Sequence, residues 1–505
     1  MLEDVDTLGT SDPVTECDVL LRGGRVLDPE TGLDGIRNVG ISSGTITYVG
    51  TEAPPALVVI DVAGRVVAPG FIDLHSHAQT VSSLRMQALD GVTTALELEA
   101  GASPVQAVYE MASDAGRPIN YGYSASWAMA RMKVLDGVEP TGGFMAFCQF
   151  MGRPGWREPA NKWQLDAILD RLEEQVHDGA LGIGVLVGYA PRTGRNEYYK
   201  VAQLAAKLNA PTFTHARFKN REDPGTALEG IAEIVSAAAG TGAHMHLCHI
   251  NSTSLRAIDE IAQVVSGARD HGLSVSTEAY PYGAGMTGIS VPFLHPDNLP
   301  LLGIEPCNLV VVATGERPAN AARLLEIREE DPGAMVIIHY LDEANPDDWA
   351  VVQRALLLKD TAIASDAVPF TLPNGKIVED TWPLPPDAIS HPRSTGTFAR
   401  VLGTLVRDLQ VISLLEAVGR CTLIPARVLE NVAPVMRRKG RVQSGADADL
   451  VVFDPERIAD QSTYVEPTHA SVGVEYLLVN GEFVVRDGLL LTSAMPGKPI
   501  RGGAA

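Results

Sequence analysis

The chain has 505 residues and an ordinary globular composition, with 45% hydrophobic and 20% charged residues. Its 62 acidic and 40 basic side chains give a net charge of −22, which argues against bulk binding of nucleic acid or an anionic membrane. The five cysteines are scattered and form no Cys-x-x-Cys pair, so neither a disulfide framework nor a zinc ribbon is indicated.

The first residues of the chain, 1–16, are acidic and rich in Thr, Ser and Pro, which predicts a disordered tail. They contain no basic region followed by an apolar stretch, so no secretory signal peptide is expected. No apolar run reaches the length of a transmembrane helix. We therefore expect a cytoplasmic protein without nucleic-acid or membrane partners. A monomer or small homo-oligomer is expected, and the net charge does not bear on a small-molecule substrate in a pocket.

Both ends of the chain are rich in predicted β-strands. Short strands and turns occupy most of residues 19–49, and again most of residues 448–485, where an Asn-Gly pair marks a hairpin. Two β-rich ends that enclose a long middle predict one small β-sandwich domain. Its expected bounds are residues 17–65 together with residues 431–495.

The middle of the chain, residues 66–430, alternates apolar strands with helical segments, which is typical of an α/β protein with a (β/α)8 TIM-type barrel. Helices are predicted for residues 104–115 and 163–178, among others. The proline-rich residues 287–345 break this rhythm and predict a small, lid-like insertion before the last barrel strand. Seven barrel strands are predicted, over residues 66–74, 91–99, 181–188, 210–214, 246–249, 273–278 and 361–366.

The first predicted barrel strand ends in a His-x-His pair, His75 and His77. Residues i and i+2 of a strand point to the same side, so the two imidazoles can bind one metal ion. Two histidines that merely alternate are the usual explanation of a bare His-x-His pair. The Pro-Gly turn and the apolar strand that precede this pair favour the metal site instead.

Further candidate ligands stand at the ends of later predicted strands: Glu97, Glu99, His215, His249 and Asp366. Each of them alone has an ordinary explanation, such as a core histidine for His215 or a helix cap for Asp366. Histidines from three strands followed by a late aspartate, in barrel order, are nevertheless the pattern of a metal-hydrolase pocket.

The segment Pro69-Gly-Phe-Ile-Asp-Leu-His-Ser-His77 resembles the first metal motif of the amidohydrolase superfamily, whose members are (β/α)8 barrels with one or two metals at the C-terminal strand ends. Later motifs narrow the resemblance to the N-acyl-D-amino-acid deacylase (D-aminoacylase) group, over about residues 18–490. These motifs include Thr214-His-Ala-Arg217, Tyr280-Pro-Tyr282, Ala364-Ser-Asp366 and His391-Pro-Arg-Ser-Thr-Gly-Thr-Phe-Ala-Arg-Val-Leu-Gly403.

The resemblance implies a role for each candidate ligand. It implies that His75 and His77 bind one divalent metal ion and that His215 and His249 bind a second. It also implies that Asp366 is both a metal ligand and the catalytic proton shuttle. Zinc is the expected ion, with manganese or iron as alternatives. The implied reaction is hydrolysis of an amide-type C–N bond, in an N-acyl amino acid or related small amide, by water that the metal activates and Asp366 deprotonates.

The sequence departs from the family pattern where the two metals are bridged. The family's bridging cysteine falls near Ala100, and residues 180–188 contain no lysine that could be carbamylated. Two neighbouring cations repel each other and need an anion between them. Glu97 and Glu99 are the carboxylates at the end of that strand. Glu99 lies nearest the position of the missing cysteine and is our first candidate for the bridge. Glu97 lies deeper in the strand and is our second.

Four residues are candidate substrate contacts: Asn251, Tyr282, Arg217 and Arg393. Asn251 stands where D-aminoacylases carry a lysine that meets the substrate carboxylate. A cyclic amide hydrolase of the dihydroorotase or hydantoinase kind, or a lactonase, therefore stays open as an alternative. A non-catalytic barrel is a further alternative, which the complete set of four histidines and Asp366 disfavours.

Overall fold

The computed structural model describes residues 16–503, so the predicted disordered tail lies outside the described residues except for its last position. None of the helices in this range is both long enough and apolar enough to cross a membrane. The cytoplasmic location and the oligomeric state stay predictions. In chain order the strands are β1 Cys17–Asp28, β2 Leu33–Ser42, β3 Thr45–Gly50, β4 Ala56–Asp61, β5 Val66–Pro69, β6 Phe71–Asp73, β7 Val92–Ala102, β8 Asn120–Ser126, β9 Ile183–Val185, β10 Thr212–Thr214, β11 Met245–Leu247, β12 Val275–Ala279, β13 Ala284–Gly288, β14 Leu309–Val311, β15 Met335–His339, β16 Thr361–Ile363, β17 Leu450–Phe453, β18 Val474–Val479, β19 Glu482–Arg486 and β20 Leu489–Leu490.

Several helices begin at side chains that cap them. Asn161 with Gln164, and Thr226 with Glu229, form reciprocal capping boxes that satisfy the first backbone N–H groups of two long barrel helices. In chain order the helices are α1 Val81–Leu89, α2 Val105–Ala115, α3 Trp127–Arg131, α4 Phe144–Phe150, α5 Lys162–His177, α6 Arg195–Lys207, α7 Ala227–Thr241, α8 Ile250–Ser254, α9 Ile258–Asp270, α10 Leu299–Leu302, α11 Ala321–Glu330, α12 Pro346–Leu357, α13 Arg393–Arg400, α14 Leu414–Cys421 and α15 Leu423–Leu429.

Eight parallel strands form the predicted barrel, in the order β6, β7, β8, β9, β10, β11, β12 and β16. Seven of them overlap segments that the sequence analysis assigned to barrel strands. It did not identify β8, whose residues Asn-Tyr-Gly-Tyr-Ser-Ala-Ser include no β-branched side chain. The strand is nonetheless completely buried, because parallel barrel strands are covered on both faces.

The segment predicted as one barrel strand, residues 66–74, is two strands in two different sheets, and this prediction was wrong. β5 pairs with β1 and β17 in the small domain, whereas β6 pairs with β7 in the barrel. The chain crosses between the sheets at Gly70, where a Cβ atom would lie 2.1 Å from the Thr93 side chain. The sheet of the small domain therefore extends to Pro69, beyond the predicted boundary at residue 65.

The small domain is built from both ends of the chain, as predicted. Its nine strands run in the order β20-β19-β18-β17-β5-β1-β2-β3, with β4 paired to β1, so hydrogen bonds join them in one sheet rather than in two. Apolar side chains from the two ends share one core, which includes Leu21, Val39, Val67, Leu450 and Leu478. This sheet supports the barrel where the chain enters at β6.

A small insertion lies between the last two barrel strands, β12 and β16. β13, β14 and β15 form its three-stranded antiparallel sheet, in the order β13-β15-β14. It begins at Ala284, slightly before the predicted range of residues 287–345. Its apolar side chains form part of the wall of the barrel's central cavity.

The buried carboxylate of Asp73 closes the barrel between its first and last strands. It accepts hydrogen bonds from the backbone N–H of Ser365 (3.0 Å), the backbone N–H of His75 (3.1 Å), the side-chain amide of Gln87 (2.9 Å) and the Ser365 hydroxyl. Just beyond this point Ser76 pairs with Ala367. The closure therefore places the segment after β6 directly beside the segment after β16.

The substitution Asp73→Ala is expected to lower the free energy of unfolding by about 2–5 kcal/mol, because two buried N–H groups lose their acceptor. Urea denaturation of the chelator-treated protein measures this change without a contribution from bound metal. The control is Asp114→Ala, which removes an exposed carboxylate on α2. Equal denaturation midpoints for the two variants would contradict the role of Asp73.

Candidate metal centre

Six of the predicted metal ligands lie together at the C-terminal ends of barrel strands. The His75–His77 pair follows β6, Glu99 lies on β7, and the remaining ligands follow β10, β11 and β16; they are His215, His249 and Asp366. All six side chains are buried. Parallel strands present their C-terminal ends at one face of a barrel, which explains how residues distant in sequence meet here.

Three donor atoms define a first metal subsite. The Nε2 atoms of His75 and His77 lie 3.2 Å apart. Asp366 Oδ1 lies 3.5 Å from each of these nitrogens. The three atoms face one point, as ligands of a single ion do.

A second subsite lies beside the first. His215 Nδ1 and His249 Nε2 are 3.1 Å apart. Glu99 Oε1 lies 3.0 Å from the His215 nitrogen and 2.8 Å from the His249 nitrogen. These three atoms also face one point.

Glu99 lies between the two subsites. Its second oxygen, Oε2, is 3.3 Å from Nε2 of His75 and 3.7 Å from Nε2 of His77. Burial alone would raise the pKa of this carboxyl, but His75, His249 and His215 together hold the pKa well below its usual value. An ionised carboxylate with one oxygen towards each subsite is the anion that a pair of cations requires.

A bulge in β7 carries Glu99 into this position. Between the pairs Glu97–Tyr123 and Ala102–Ala125, β7 has more residues than its partner β8. The Glu99 backbone also passes very close to β9, where a Cβ atom on Gly184 would lie 2.3 Å from the Glu99 carbonyl oxygen. Only a glycine at position 184 allows this approach.

Glu97, the second candidate for the bridge, lies outside both subsites. Its carboxylate accepts a hydrogen bond from His77 Nδ1 at 2.8 Å, which leaves Nε2 of that histidine free to face the first subsite. The bulge separates the roles of the two glutamates, although both lie on the same strand. Glu97 therefore orients the metal-binding ring of His77.

Glu278 is a functional residue that the sequence analysis missed. Its carboxylate accepts from His75 Nδ1 at 2.5 Å and from His246 Nε2 at 3.0 Å. Burial would raise the pKa of this carboxyl, but His75 and His246 hold it well below its usual value. Carboxylates commonly fix the ring orientation of metal-binding histidines in this way. Its place at the end of a predicted barrel strand was the available sequence signal.

Two of the candidate ligands have backbone conformations that are unusual for their residue type. His249 has φ +35° and Asp366 has φ +53°, in the left-handed region that residues other than glycine seldom adopt. Both positions lie two or three residues after the end of a barrel strand. Such strain typically marks functional sites, where the surrounding structure holds a side chain in one required direction.

Arg393 contacts the predicted catalytic residue. Its Nη1 atom lies 2.9 Å from Asp366 Oδ2, and its guanidinium lies 4.8 Å from the centre of the Tyr280 ring. The ion pair occupies Oδ2 and leaves Oδ1 facing His75 and His77. Arg393 therefore fixes the orientation of Asp366.

The structure does not bring Arg217 to the cavity as a free substrate contact. Its guanidinium forms a two-pronged pair with Glu233, at 2.7 and 2.8 Å, and donates to the carbonyl oxygens of Pro191 and Thr193. Its Nη1 atom thereby holds the loop after β9, and its Nε and Nη2 atoms are engaged with α7. Its role in the structure is to support the fold.

Asn251 and Tyr282 are also placed differently from the prediction. The Asn251 side chain accepts from the Tyr280 N–H at 3.2 Å and donates to the Tyr282 carbonyl at 3.4 Å. The Tyr282 ring packs edge-on against His391 and under the Arg400 guanidinium. Neither side chain lines the cavity, because contacts with other segments of the chain determine its direction.

A cavity of about 30 Å³ adjoins both subsites. Besides the ligands, its wall includes the aromatic residues Phe144, Tyr189 and Tyr280, and several side chains of the insertion. Lys219 also lines it and is a second residue that the sequence analysis missed. Its lining combines aromatic surface with a few polar side chains, as the lining of small-molecule sites does.

The donor set fits a pair of divalent cations. Imidazole nitrogens and carboxylate oxygens bind zinc, and they also bind the harder ions manganese and iron. Burial of ionised carboxylates is costly unless cations compensate them. The geometry thus agrees with the sequence expectation of one or two divalent ions, held by His75, His77 and Asp366 on one side of Glu99 and by His215 and His249 on the other.

Comparison with known proteins identifies the family of this chain. The model of the amidohydrolase family matches residues 58–257 and 251–485, which together are most of the sequence. The chain belongs to the amidohydrolase family. Metal ligands at the C-terminal ends of the barrel strands agree with this membership.

Among curated relatives, the N-acyl-D-glutamate deacylase of Alcaligenes xylosoxydans xylosoxydans is 28% identical over 499 residues, which cover 92% of this chain and 93% of that protein. The D-aminoacylase of the same organism is also 28% identical, over 492 residues and the same shares of the two chains. These amidohydrolases align over nearly their whole length. The Escherichia coli allantoinase is 25% identical over 52% of this chain and 59% of its own.

Solved structures share the same fold. A D-aminoacylase crystal structure, 24% identical, covers 96% of this chain and 100% of its own with a TM-score of 0.76. The N-acyl-D-glutamate deacylase from Bordetella bronchiseptica, complexed with zinc and a phosphonate inhibitor, has a TM-score of 0.74 at 24% identity, covering 97% of this chain and 100% of its own. At these identities the likeness establishes the fold of this amidohydrolase.

Removing the shared carboxylate should separate the two metal subsites. Glu99→Ala is expected to lose one metal equivalent, because the cations no longer have an anion between them. Glu97→Ala is expected to keep both equivalents with about 10- to 100-fold weaker affinity, since it removes only the group that orients His77. Elemental analysis after dialysis against buffered zinc measures both effects.

The control for this experiment is Glu174→Ala, which removes an exposed carboxylate on α5. It should bind as much zinc as the unchanged protein. Full zinc content in Glu99→Ala would contradict the assignment of Glu99 as the bridge.

Proposed function

We propose that this protein is a metal-dependent hydrolase of amide-type C–N bonds, and that its substrate is an N-acyl amino acid or a related small amide. The observation that carries the proposal is the Glu99 carboxylate, shared by two histidine-lined subsites in a cavity that Asp366 also faces. The relatives that align with most of this chain support it, since they are named N-acyl-D-glutamate deacylase and D-aminoacylase.

The ligand arrangement suits hydrolysis. Divalent ions held there supply Lewis acidity, which lowers the pKa of water and polarises a carbonyl oxygen. The protein holds the two metal subsites close together, so an attacking water and the carbonyl group of the substrate can be placed side by side. The Bordetella bronchiseptica deacylase supports this chemistry, since its phosphonate inhibitor is described as a mimic of the reaction's tetrahedral intermediate.

Asp366 is the proposed general base and acid. Its Oδ1 atom faces the first subsite, while Arg393 holds Oδ2 at 2.9 Å. The Oδ1 atom, which Arg393 leaves free, can accept a proton from water. The same oxygen can then return the proton to the leaving nitrogen, as hydrolysis of an amide requires.

The cavity walls suit a small, partly apolar amide. Phe144, Met286 and Ile338 offer apolar surface beside the ligands. Met286 and Ile338 belong to the insertion, which covers the cavity on one side. Excluding bulk water strengthens the electrostatic interactions inside the cavity and favours productive placement of the substrate.

Cyclic amide hydrolysis is the alternative that the sequence left open. The Escherichia coli allantoinase aligns with only 52% of this chain, and a D-hydantoinase structure has a TM-score of 0.58. The N-acyl deacylases align with 92% of the chain at higher identity. The longer alignment favours deacylation.

Substrate hydrolysis by purified, zinc-loaded protein tests the proposal. A panel of N-acetyl-D- and N-acetyl-L-amino acids, dihydroorotate, hydantoin and allantoin should show cleavage of one or more N-acetyl amino acids. Chelation should abolish the activity and zinc should restore it. Cleavage of a cyclic amide alone would favour the alternative, and no cleavage by the loaded protein would contradict both.

The substitution Asp366→Asn should lower kcat by about 10²- to 10⁴-fold, because an amide cannot accept the proton of water. Most of the bound zinc should remain, since the histidines and Glu99 are unchanged. Steady-state kinetics together with zinc analysis measure the two effects. The control is Asp360→Asn, which changes an exposed aspartate at the opposite end of the same barrel strand.

Asp360→Asn should keep the kinetics of the unchanged protein. A near-normal kcat in zinc-loaded Asp366→Asn would show that another group moves the proton.

A further inference from the structure

Lys219 occupies an unusual place for a lysine. It lies four residues after His215, in the loop between β10 and α7, and its side chain is buried. Its Nζ atom is 3.1 Å from the Tyr340 hydroxyl and 3.8 Å from the centre of the Phe293 ring. The side chain lines the cavity that Glu99 and Asp366 also line.

The charge of Lys219 has no carboxylate partner among the residues that the structure describes. The contrast is Lys439, a buried lysine whose Nζ lies 3.0 Å from Asp447 and 2.5 Å from Asp449. Burial lowers the pKa of Lys219 to about 7, although Glu99 and Asp366 act in the opposite direction. The Phe293 ring offsets only part of the cost of burying an ammonium group.

The surroundings of Lys219 favour a bound anion. With divalent ions in both subsites, the charges of Glu99 and Asp366 are compensated, so a bound anion is the group that would keep the Lys219 ammonium charged in the same cavity. The Tyr340 hydroxyl accepts a hydrogen bond from Lys219 Nζ, so its own proton stays free to donate. An ammonium and a hydroxyl proton side by side make a suitable pair of donors for one carboxylate.

We propose that Lys219, together with the Tyr340 hydroxyl, binds the carboxylate of the substrate and so selects anionic N-acyl amino acids over neutral amides. This inference rests on the proposed function and names its substrate class. It assigns to the loop after β10 the contact that the sequence analysis expected at Asn251, whose side chain is engaged with the backbone of residues 280 and 282.

The positions of Tyr340 and Phe293, which contact Lys219, support its role in binding the substrate carboxylate. Tyr340 and Phe293 belong to the insertion between β12 and β16, whereas Lys219 belongs to the barrel. A carboxylate held by Lys219 and Tyr340 would therefore join the insertion to the barrel across the cavity. In an N-acyl α-amino acid, the amide nitrogen and the carboxylate are attached to the same carbon atom. A substrate whose carboxylate contacts Lys219 therefore keeps its amide bond close by, on the side of the metal ligands.

The test compares an acid with its neutral counterpart. The probes are an N-acetyl amino acid that the zinc-loaded wild-type protein cleaves and the corresponding N-acetyl amino acid carboxamide, with acetate release as the measurement. Lys219→Met should lower kcat/KM for the acid about 100-fold, mainly by raising KM, because a desolvated charge pair is lost. The value for the carboxamide should change less than about threefold, and Lys219→Arg should restore part of the loss for the acid.

Arg221→Met is the matched control, because it removes a positive charge from an exposed position two residues away. It should leave both substrates unaffected. Thermal unfolding and zinc content of each variant show whether the fold and the metal centre are preserved. If Lys219→Met does not fold, Lys219→Gln removes the charge while keeping a hydrogen-bond donor, and the same comparison applies.

A second measurement does not depend on turnover. In the Asp366→Asn background, isothermal titration with the N-acetyl amino acid should show about 100-fold weaker binding when Lys219→Met is added. Equal losses for the acid and the carboxamide, or no loss for either, would overturn the role of Lys219 while leaving the proposed function intact. Failure of the wild-type protein to cleave any N-acetyl amino acid would instead contradict the proposed function, and this inference with it.

Discussion

The Glu99 carboxylate has to stay ionised inside the barrel, with one oxygen towards each pair of histidines. Burial in a low-dielectric interior opposes this charge, so the surrounding structure must compensate it. Histidine nitrogens on both sides of the carboxylate lower its pKa, and cations between the same groups would stabilise it further. The bulge in β7 and the glycine at position 184 allow the backbone to bring the carboxylate to this point.

A surrounding set of polar groups fixes the ligands in turn. Glu278 orients His75, Glu97 orients His77, and Arg393 orients Asp366. The hydrogen bonds of Asp73 tie the first barrel strand to the last, which places His75 and Asp366 next to each other. The precision of the site therefore depends on contacts that span the whole barrel.

The sequence predicts the barrel and the ligand positions well, for a physical reason. Strands alternate their side chains, and parallel strands end at one face, so a histidine or carboxylate at a strand end has a predictable position. The bridge could be placed at Glu99 because the chain offers no cysteine or lysine there. The sequence ranked Glu99 above Glu97 by its position beside the missing cysteine, but the bulge that separates the roles of the two glutamates was indicated by no local pattern.

Side chains beyond the strand ends were not predictable in the same way. Arg217 pairs with Glu233, and Asn251 connects two backbone segments, because distant parts of the chain supply their partners. Lys219 was missed for the same reason, since the tyrosine and phenylalanine beside it come from the insertion far along the chain. The β8 strand was missed because it lacks β-branched residues, although the barrel buries it completely.

Anomalous X-ray diffraction at the zinc absorption edge, on crystals of the zinc-loaded protein, tests the central claim most directly. Two anomalous peaks are expected about 3.5–4 Å apart, one beside each histidine pair, with one Glu99 oxygen about 2.0–2.2 Å from each peak. A Glu99 carboxylate turned away from two occupied subsites, or two metals joined by another protein group, would contradict the account.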